Sequence, residues 1–240
     1  MCERLVIPGR VEVEQDLSVL NPWWSFETRF NVAVTHKVPV ARVHDRESEG
    51  VMMRWGLVPA ATRTAQRQTS AGPAPTGSAA IGPGIARVDS TDIGESLELR
   101  SVWMCGQRCI VPLAGFYMWQ LDGRGHRQPH YVRVVNRPVF GVAALWDRFV
   151  TDEDDVIEGC ALVSVRANPL LQELGGSVTR MPAILNRDAY ETWLGGRPAQ
   201  ALDLLQSYPA ERMVRHAVGP RVNVLEYDDS SLIRPIAATG

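Results

Sequence analysis

Apolar residues recur along this chain with two different spacings, and each spacing predicts a different kind of element. Over residues 11–20, Val11, Val13, Leu17 and Leu20 have the spacing of a short amphipathic helix. Elsewhere, short runs rich in β-branched and other apolar residues predict strands. The predicted strands are residues 31–34, 38–40, 52–58, 108–112, 131–135, 140–145 and 161–165.

Three further helices are predicted from their boundary residues. Asn168, followed by a proline, is a typical N-cap, so we expect a helix over 168–174. A second helix is expected over 187–194, where Gly195-Gly196 ends it, and a third over 199–206. Predicted strands outnumber helices and show no β-α-β alternation. The pattern therefore predicts an α+β fold with a mixed, largely antiparallel β core and flanking helices.

One segment interrupts this pattern. Residues 60–84 consist largely of Ala, Gly, Pro, Ser and Thr. Such a composition buries too little apolar surface to order itself strongly. We therefore expect a single domain over residues 1–240 with a flexible insertion loop, a candidate lid, over residues 60–84.

Composition narrows the function classes. The 240 residues are 45% hydrophobic and 22% charged, as in ordinary globular proteins. No stretch approaches the ~20 apolar residues of a membrane span and no signal peptide is visible, so a cytoplasmic protein without membrane contact is predicted. Four cysteines are too few for a disulfide framework and lack zinc-site spacing, so we expect neither a metal nor a cofactor. The formal net charge of −2 argues against a strongly basic nucleic-acid-binding protein.

Cys2 is the candidate nucleophile because it directly follows the start methionine. Once Met1 is removed, this residue carries an α-amine and a thiol on neighbouring carbons. Their pKa values, about 8 and about 8.5 when unperturbed, leave both groups partly deprotonated near neutrality. Such a 1,2-aminothiol condenses with an aldehyde to a thiazolidine, or accepts an acyl group as a thioester. A cysteine can also follow the start methionine by coincidence of coding. The residues around Cys2 therefore decide whether it is a functional nucleophile.

Several short motifs have the order and spacing of one known family. The chain resembles the SOS-response-associated peptidase (SRAP) family, also known as abasic-site processing proteins, from Cys2 to the Val222-Asn223 region. The motifs are Met1-Cys2-x-Arg4, Phe30-Asn31-Val32-Ala33, Arg54-Trp55-Gly56-Leu57-Val58-Pro59, Ala86-Arg87, Cys109-Ile110-Val111-Pro112 with Gly115-Phe116-Tyr117-x-Trp119, Ala167-Asn168 and Arg180-Met181-Pro182.

The resemblance implies a fold and a chemistry. It implies an SRAP-like open barrel and autocatalytic removal of Met1, which exposes Cys2. Family members bind single-stranded DNA that contains an abasic site, and the aldehyde of that site forms a thiazolidine on the cysteine. An Asn, a Glu and a His assist, and arginines hold phosphates. The residues carried over as substrate-binding are Arg4, Asn31, Trp55, Ile85, Arg87, Met118, Trp119, Val178 and Arg180.

Three of those positions depart from the family pattern. The assisting Asn, acid and His fall at Ile85, Met118 and Val178. Apolar side chains transfer no protons, and an apolar trio is expected to make the pocket drier and larger. Asp89 and Glu3 are therefore the candidate acid–base residues beside Cys2. Each has a plain structural alternative, which is an ion pair of Asp89 with Arg87 and surface exposure of Glu3.

Features that hold DNA are also weaker than in the family. Ala60-Ala61-Thr62 stands where relatives often carry tryptophans that stack on bases, and Glu3 places an anion beside the nucleophile. Cys105 and Cys109 are expected to be small core residues. His36, His126, His130 and His216 fall outside the pocket motifs and are expected in loops or at the surface.

Three functions follow from these observations. The favoured hypothesis is an enzyme of bacterial specialised metabolism that uses Cys2 for covalent chemistry on a small carbonyl or acyl substrate. The second hypothesis is the family role, an abasic-site sensor that crosslinks to single-stranded DNA, with DNA binding possible but weakened. The third is a pseudoenzyme that binds a small molecule without chemistry.

Overall fold

The structure is a computed structural model that describes residues 3–17, 24–44, 47–59, 84–121, 125–150, 154–175 and 178–236. Cys2 lies outside the described residues, as does the predicted insertion loop except for Gly84. The expectations for Cys2 and for the loop therefore stay predictions.

Twelve strands and five α-helices form within these ranges. The strands are β1 (Arg4–Ile7), β2 (Arg29–Ala33), β3 (Lys37–His44), β4 (Glu47–Trp55), β5 (Arg87–Asp89), β6 (Arg108–Leu113), β7 (Gly115–Leu121), β8 (Arg127–Val134), β9 (Phe140–Val150), β10 (Val156–Arg166), β11 (Arg180–Pro182) and β12 (Met213–Ala217). The helices are α1 (Arg10–Leu17), α2 (Leu97–Met104), α3 (Pro169–Gln172), α4 (Tyr190–Gly195) and α5 (Pro198–Asp203). Short 3₁₀ helices span Arg187–Ala189, Ala210–Arg212, Pro220–Asn223 and Ser230–Ile233.

The apolar runs predicted the positions of strands correctly, but they predicted the strand ends less accurately. Each predicted strand overlaps an observed one, and Asn168 is the predicted N-cap, since its side chain accepts a hydrogen bond from the N–H of Leu171. The strand expected over 52–58 ends at Trp55, because Gly56 turns the chain with a φ of 134°. Strands β1, β5, β7, β11 and β12 and helix α2 have no counterpart in the predicted elements.

Five strands form a closed ring in the order β10-β4-β3-β6-β9, because β9 pairs back onto β10 over seven residue pairs. The β4–β10 pairing is parallel, and the other pairings in the ring are antiparallel. The expected α+β class with a mixed, largely antiparallel core is confirmed, and β9–β10 pairing closes the barrel that the resemblance predicted to be open. Strands β5 and β11 both pair with β10.

A second sheet, in the order β12-β8-β7-β1-β2, places the N-terminal strand between two neighbours. One face of this sheet contributes Leu5 and Phe116 to the main hydrophobic core. The opposite face carries Tyr117 and Tyr131, and Val218, Val222 and Leu232 from the C-terminal segment cover it. The start of β1 is therefore held on both sides by hydrogen-bonded strands.

Two expectations about single side chains are wrong. Cys109 and Cys160 are buried, but Cys105 follows the last turn of α2 and is exposed. His130 is neither a loop nor a surface residue, because it lies in β8 and is only 6% exposed. Burial, together with Arg215 and His216, lowers the pKa of His130 to about 4.

Candidate functional site

The N-terminal end of β1 and the turn after β2 lie at the same end of one sheet. Arg4 pairs with Ala33 in the antiparallel β1–β2 register, so the residues that follow Ala33 emerge beside the residues that precede Arg4. The turn is held from two sides. The His36 N–H donates to the Ala33 carbonyl at 3.1 Å, and the Thr35 N–H donates to the Trp55 carbonyl at 2.8 Å.

Trp55 connects this turn to the segment before β5. Its indole is fully buried, and Nε1 donates to the carbonyl of Ala86 at 2.8 Å. Ile85 and Leu57 exchange two backbone hydrogen bonds of 2.9 Å. This geometry makes Trp55 a buried residue that holds the 84–86 segment, and its predicted contact with substrate stays a prediction.

His36 is a functional candidate that the motifs did not identify. Its ring is half-buried, and Nδ1 accepts a hydrogen bond from the Ala33 N–H at 3.3 Å. Burial lowers its pKa, and the positive charges of Arg29 and Arg4 lower it further. The expectation of a loop histidine is confirmed, since His36 lies in the turn between β2 and β3, next to the β1–β2 pair. Only the β1–β2 register places it there, and no local motif carries that information.

Glu3 precedes strand β1, and Arg4 is its first residue. The Glu3 carboxylate forms an ion pair of 3.3 Å with Arg127, and both side chains are about half exposed. The Arg127 guanidinium lies 5.2 Å from the ring centre of Trp119. Arg4 donates to the carbonyl of Glu3 at 3.1 Å. The carboxylate predicted as an acid–base group is therefore a surface partner of Arg127.

Two predicted substrate-binding residues, Trp119 and Asn31, form hydrogen bonds with the C-terminal segment, and their contact with substrate stays a prediction. Trp119 is 7% exposed, and its Nε1 donates to Oδ1 of Asn223 at 2.9 Å. Asn31 is fully buried, and its Nδ2 lies within hydrogen-bond distance of three backbone carbonyls. These belong to Val222 at 3.2 Å, Val224 at 3.0 Å and Tyr227 at 3.0 Å.

The bonds between β2 and the C-terminal segment form a clamp, and Asp228 is part of it. No motif in the sequence identified Asp228. Its Oδ1 accepts from the N–H groups of Phe30 at 2.5 Å and Asn31 at 2.9 Å, while Oδ2 accepts from Nε of Arg29 at 2.7 Å. The carboxylate thus satisfies donors at the start of β2. Because nearly two hundred residues separate the partners, no local pattern predicts the contact.

Arg180 and Asp89 form an ion pair with each other. Arg180 also donates to the carbonyl of Ser164 at 3.0 Å and to Oγ of Ser90 at 3.2 Å. Asp89 additionally accepts from the N–H and hydroxyl of Thr91 at 2.9 and 2.7 Å. The ion pair expected for Asp89 exists, but its partner is Arg180 rather than Arg87. The Arg180 guanidinium and the Asp89 carboxylate therefore both form hydrogen bonds within the fold.

Among the described residues, the three apolar replacements differ in their surroundings. Met118 and Val178 are 0% and 5% exposed and belong to the main core. Ile85 packs against that core and also borders a cavity of about 430 Å³ that neither Met118 nor Val178 lines. The cavity is lined by Ile85, Arg87, Val88, Asp89, Asp92, Glu95, Ser96 and Leu99. Of the three replacements, Ile85 is the one that borders this cavity, so Ile85 alone makes this cavity more apolar.

The described residues were also considered as metal ligands and as membrane-spanning segments. No group of three or more His, Cys, Asp or Glu side chains there is arranged to hold a metal ion. None of the helices in the described ranges is long and apolar enough to cross a membrane.

The chain belongs to the SOS response associated peptidase (SRAP) family, whose model matches residues 1–225. It is 22% identical over 240 residues to the abasic site processing protein YoqW of Bacillus subtilis (strain 168), covering 97% of this chain and 99% of that protein. A protein of the same name from Bacillus phage SPbeta matches equally. The resemblance stated from the motifs is therefore confirmed.

Solved structures with the same fold come from other bacteria. A protein from Bacteroides thetaiotaomicron superposes with a TM-score of 0.76 at 22% identity, covering 98% of this chain and 100% of that one. A protein from Bordetella bronchiseptica superposes with a TM-score of 0.73 at 22% identity, covering 91% and 100%. At this level of identity the likeness is one of fold.

Proposed function

We propose that this protein captures aldehydes covalently on Cys2, and that the aldehyde is the open-chain sugar of an abasic site in single-stranded DNA. One observation carries the proposal. A chain matched by the SRAP model from its first residue retains cysteine at position 2. Two relatives that align along almost their whole length are named abasic site processing proteins.

The chemistry follows from the aminothiol. The α-amine of Cys2 adds to the aldehyde carbon, the carbonyl oxygen takes up a proton, and water leaves to give an imine. The thiol sulfur then adds to the imine carbon and closes a five-membered thiazolidine. One aldehyde and one aminothiol give one thiazolidine and one water, without a metal or an oxidant.

The surroundings of β1 favour an aldehyde that carries a phosphate. Arg4, Arg29 and His36 lie close enough together that both arginines depress the imidazole pKa. Arg29 is paired with Asp228 and the imidazole is neutral, so it is the guanidinium of Arg4 that we expect to attract a phosphate diester here. Arg180 is committed to Asp89, so we assign phosphate contact to Arg4 and not to Arg180.

A second candidate function is capture of a small carbonyl compound. The observation that favours it is the cavity beside Ile85 and Arg87, which carries three carboxylates, Asp89, Asp92 and Glu95, against one arginine. That balance disfavours a phosphate backbone and leaves Ile85 as an apolar wall.

One experiment separates the two candidates. The purified protein is incubated with single-stranded DNA bearing one abasic site, with the same DNA without it, and with small aldehydes, and intact mass is recorded after denaturation. The proposal expects a mass increase equal to the abasic DNA minus one water, in stoichiometric yield. The Cys2→Ser variant is expected to form no stable adduct, and Cys105→Ser, which removes the exposed thiol, is expected to behave as wild type.

Adducts with small aldehydes alone would support the second candidate and sink the DNA proposal. A retained Met1 in the intact mass would remove the aminothiol and contradict both candidates.

A further inference from the structure

An exposed aromatic ring and an arginine form a pair on the C-terminal segment. Tyr227 is 40% exposed, and the guanidinium carbon of Arg221 lies 4.1 Å from the centre of its ring. We propose that this pair, the stacking platform, binds single-stranded DNA by stacking one nucleobase on the Tyr227 ring. The inference rests on the proposed function, to which it adds a contact with the bases of the strand.

Tyr227 is the one exposed aromatic residue in the described ranges. The other aromatic side chains there are buried or, for Phe26 and Phe30, partly buried. A base stacks only on a ring with an accessible face, which a buried ring does not offer. Single exposed apolar residues are ordinary on protein surfaces, so the contacts around the ring carry the argument.

Arg221 is held over the ring by two further contacts. Its Nη1 donates to Oγ of Ser231 at 3.2 Å, and its Nη2 lies 3.6 Å from a carboxylate oxygen of Asp229. The side chains of Arg221 and Asp229 are both about half exposed, so their ion pair is weak and a phosphate competes with it. A ring that stacks on a base, beside a cation that attracts the backbone, is the combination that binds single strands.

The backbone of the stacking platform is fixed. The Val224 N–H donates to the carbonyl of Arg221 at 3.0 Å, and the Tyr227 N–H donates to the carbonyl of Val224 at 3.3 Å. The carbonyl of Tyr227 accepts from Nδ2 of the fully buried Asn31 at 3.0 Å. Because this turn is tied to strand β2, little conformational entropy remains to be lost when a base binds.

The stacking platform adjoins the cationic end of β2. Asp228 directly follows Tyr227, and its carboxylate binds Nε of Arg29 at 2.7 Å. Arg29, Arg4 and Asp228 all act electrostatically on the His36 ring, so these groups are neighbours. A strand whose phosphate contacts Arg4 is therefore expected to bring a nearby base to Tyr227.

The test measures binding of single-stranded DNA without an abasic site, so it is independent of any reaction at Cys2. Fluorescence anisotropy gives the Kd for a labelled oligonucleotide of about 15 nucleotides. We expect Tyr227→Leu, which keeps apolar bulk but has no ring, to bind roughly five- to a hundredfold more weakly than wild type. Tyr227→Phe, which keeps the ring, should bind within about twofold of wild type.

Two controls separate stacking from a general loss of structure. Leu97→Ala removes an apolar side chain that is 86% exposed on helix α2, and it should bind as wild type does. Binding of duplex DNA should be the same in Tyr227→Leu and wild type, because bases in a duplex already stack on each other. Urea denaturation checks that each variant is folded.

Salt provides a second readout. Stacking releases no counterions, whereas phosphate contacts do. The ratio of the Kd values of Tyr227→Leu and wild type should therefore stay constant between about 50 and 200 mM salt, while both values rise.

Each outcome points one way. Equal Kd values of Tyr227→Leu and wild type for single strands overturn the stacking platform, and aldehyde capture still stands if the abasic adduct forms. Binding by Tyr227→Phe as weak as that by Tyr227→Leu also overturns it, as does an equal loss for duplex DNA. Loss of single-strand binding in Tyr227→Leu alone supports it, even where wild type that has lost Met1 forms no abasic adduct, a result that overturns the proposed function instead.

Discussion

The guanidinium of Arg180 forms an ion pair with the carboxylate of Asp89 across strand β10. Strand β11 carries Arg180, strand β5 carries Asp89, and both strands pair with the region of β10 around Ser164. The pair therefore ties three strands together at the margin of the barrel. Arg180, carried over from the family, and Asp89, a candidate acid–base residue, are thus partners of each other, and their roles in the reaction stay predictions.

This relationship predicts the effect of Asp89→Asn. The variant preserves size but removes the charge that Arg180 and Thr91 engage, so the free energy of unfolding should fall by about 1–3 kcal/mol. Urea denaturation measures that change, and the adduct assay should show a rate within about threefold of wild type. A stable Asp89→Asn protein with a strongly reduced rate would instead assign Asp89 to catalysis.

Asn31→Ala should loosen the C-terminal segment. The substitution removes the donor to the buried carbonyl of Val222 and to the carbonyls of Val224 and Tyr227, which we expect to cost about 2–4 kcal/mol of unfolding free energy. Limited proteolysis should cut within 218–236 earlier than in wild type. The matched variant Asn31→Asp presents an anion to the same carbonyls and should be less stable than Asn31→Ala. Equal stability of both variants and wild type would contradict the clamp.

His130 should make stability depend on pH. Its folded pKa of about 4 lies below the unfolded value of 6.5, so the unfolded state binds more protons between these values. Stability from this residue is present above pH 6.5 and is lost as the pH falls towards 4, by at most about 3 kcal/mol. Unfolding by urea at pH 7 and pH 5 measures the loss. His130→Gln, which cannot titrate, should lose less stability over this interval, and an identical loss would contradict the prediction.

Thiol labelling should divide the three described cysteines into two classes. Cys109 and Cys160 are buried, and burial raises the pKa of Cys109 well above its usual value and that of Cys160 to about 12. A neutral thiol reagent should therefore react with Cys105 but not with Cys109 or Cys160 in the native protein, and with all three after denaturation. The count should drop by one in Cys105→Ser. Labelling of Cys109 before unfolding would contradict the described core.

Met118→Glu tests whether the family acid can be restored. Because residue 118 is fully buried in the main core, a carboxylate there should destabilise the fold by about 2–4 kcal/mol. Burial raises the pKa of the introduced acid, so the loss should be smallest near pH 4 and should grow as the pH rises towards 7. The control Met118→Gln lacks that pH dependence. A stable Met118→Glu protein with faster adduct formation would show that the position still opens to the site.

Local patterns determined much of the architecture. Runs of β-branched residues located the central barrel strands, because a strand buried on both faces needs nothing but apolar side chains in sequence. Asn168 before a proline determined a helix start, since an N-cap involves neighbours only three residues away. The motifs in register determined the family, including the retained Cys2.

Only the tertiary structure decided what the polar residues do. Asn31 donates to carbonyls that lie 191 to 196 positions further along the chain. Arg180 and Asp89 pair although they lie on strands at opposite edges of β10. His36 joins Arg4 through the register of two antiparallel strands. Hydrogen bonds and ion pairs depend on distances of a few ångströms between groups distant in sequence, which residue type and spacing do not encode. The sequence by itself therefore indicated the fold and a candidate nucleophile, and the packing of the sheets decided which groups the polar side chains contact.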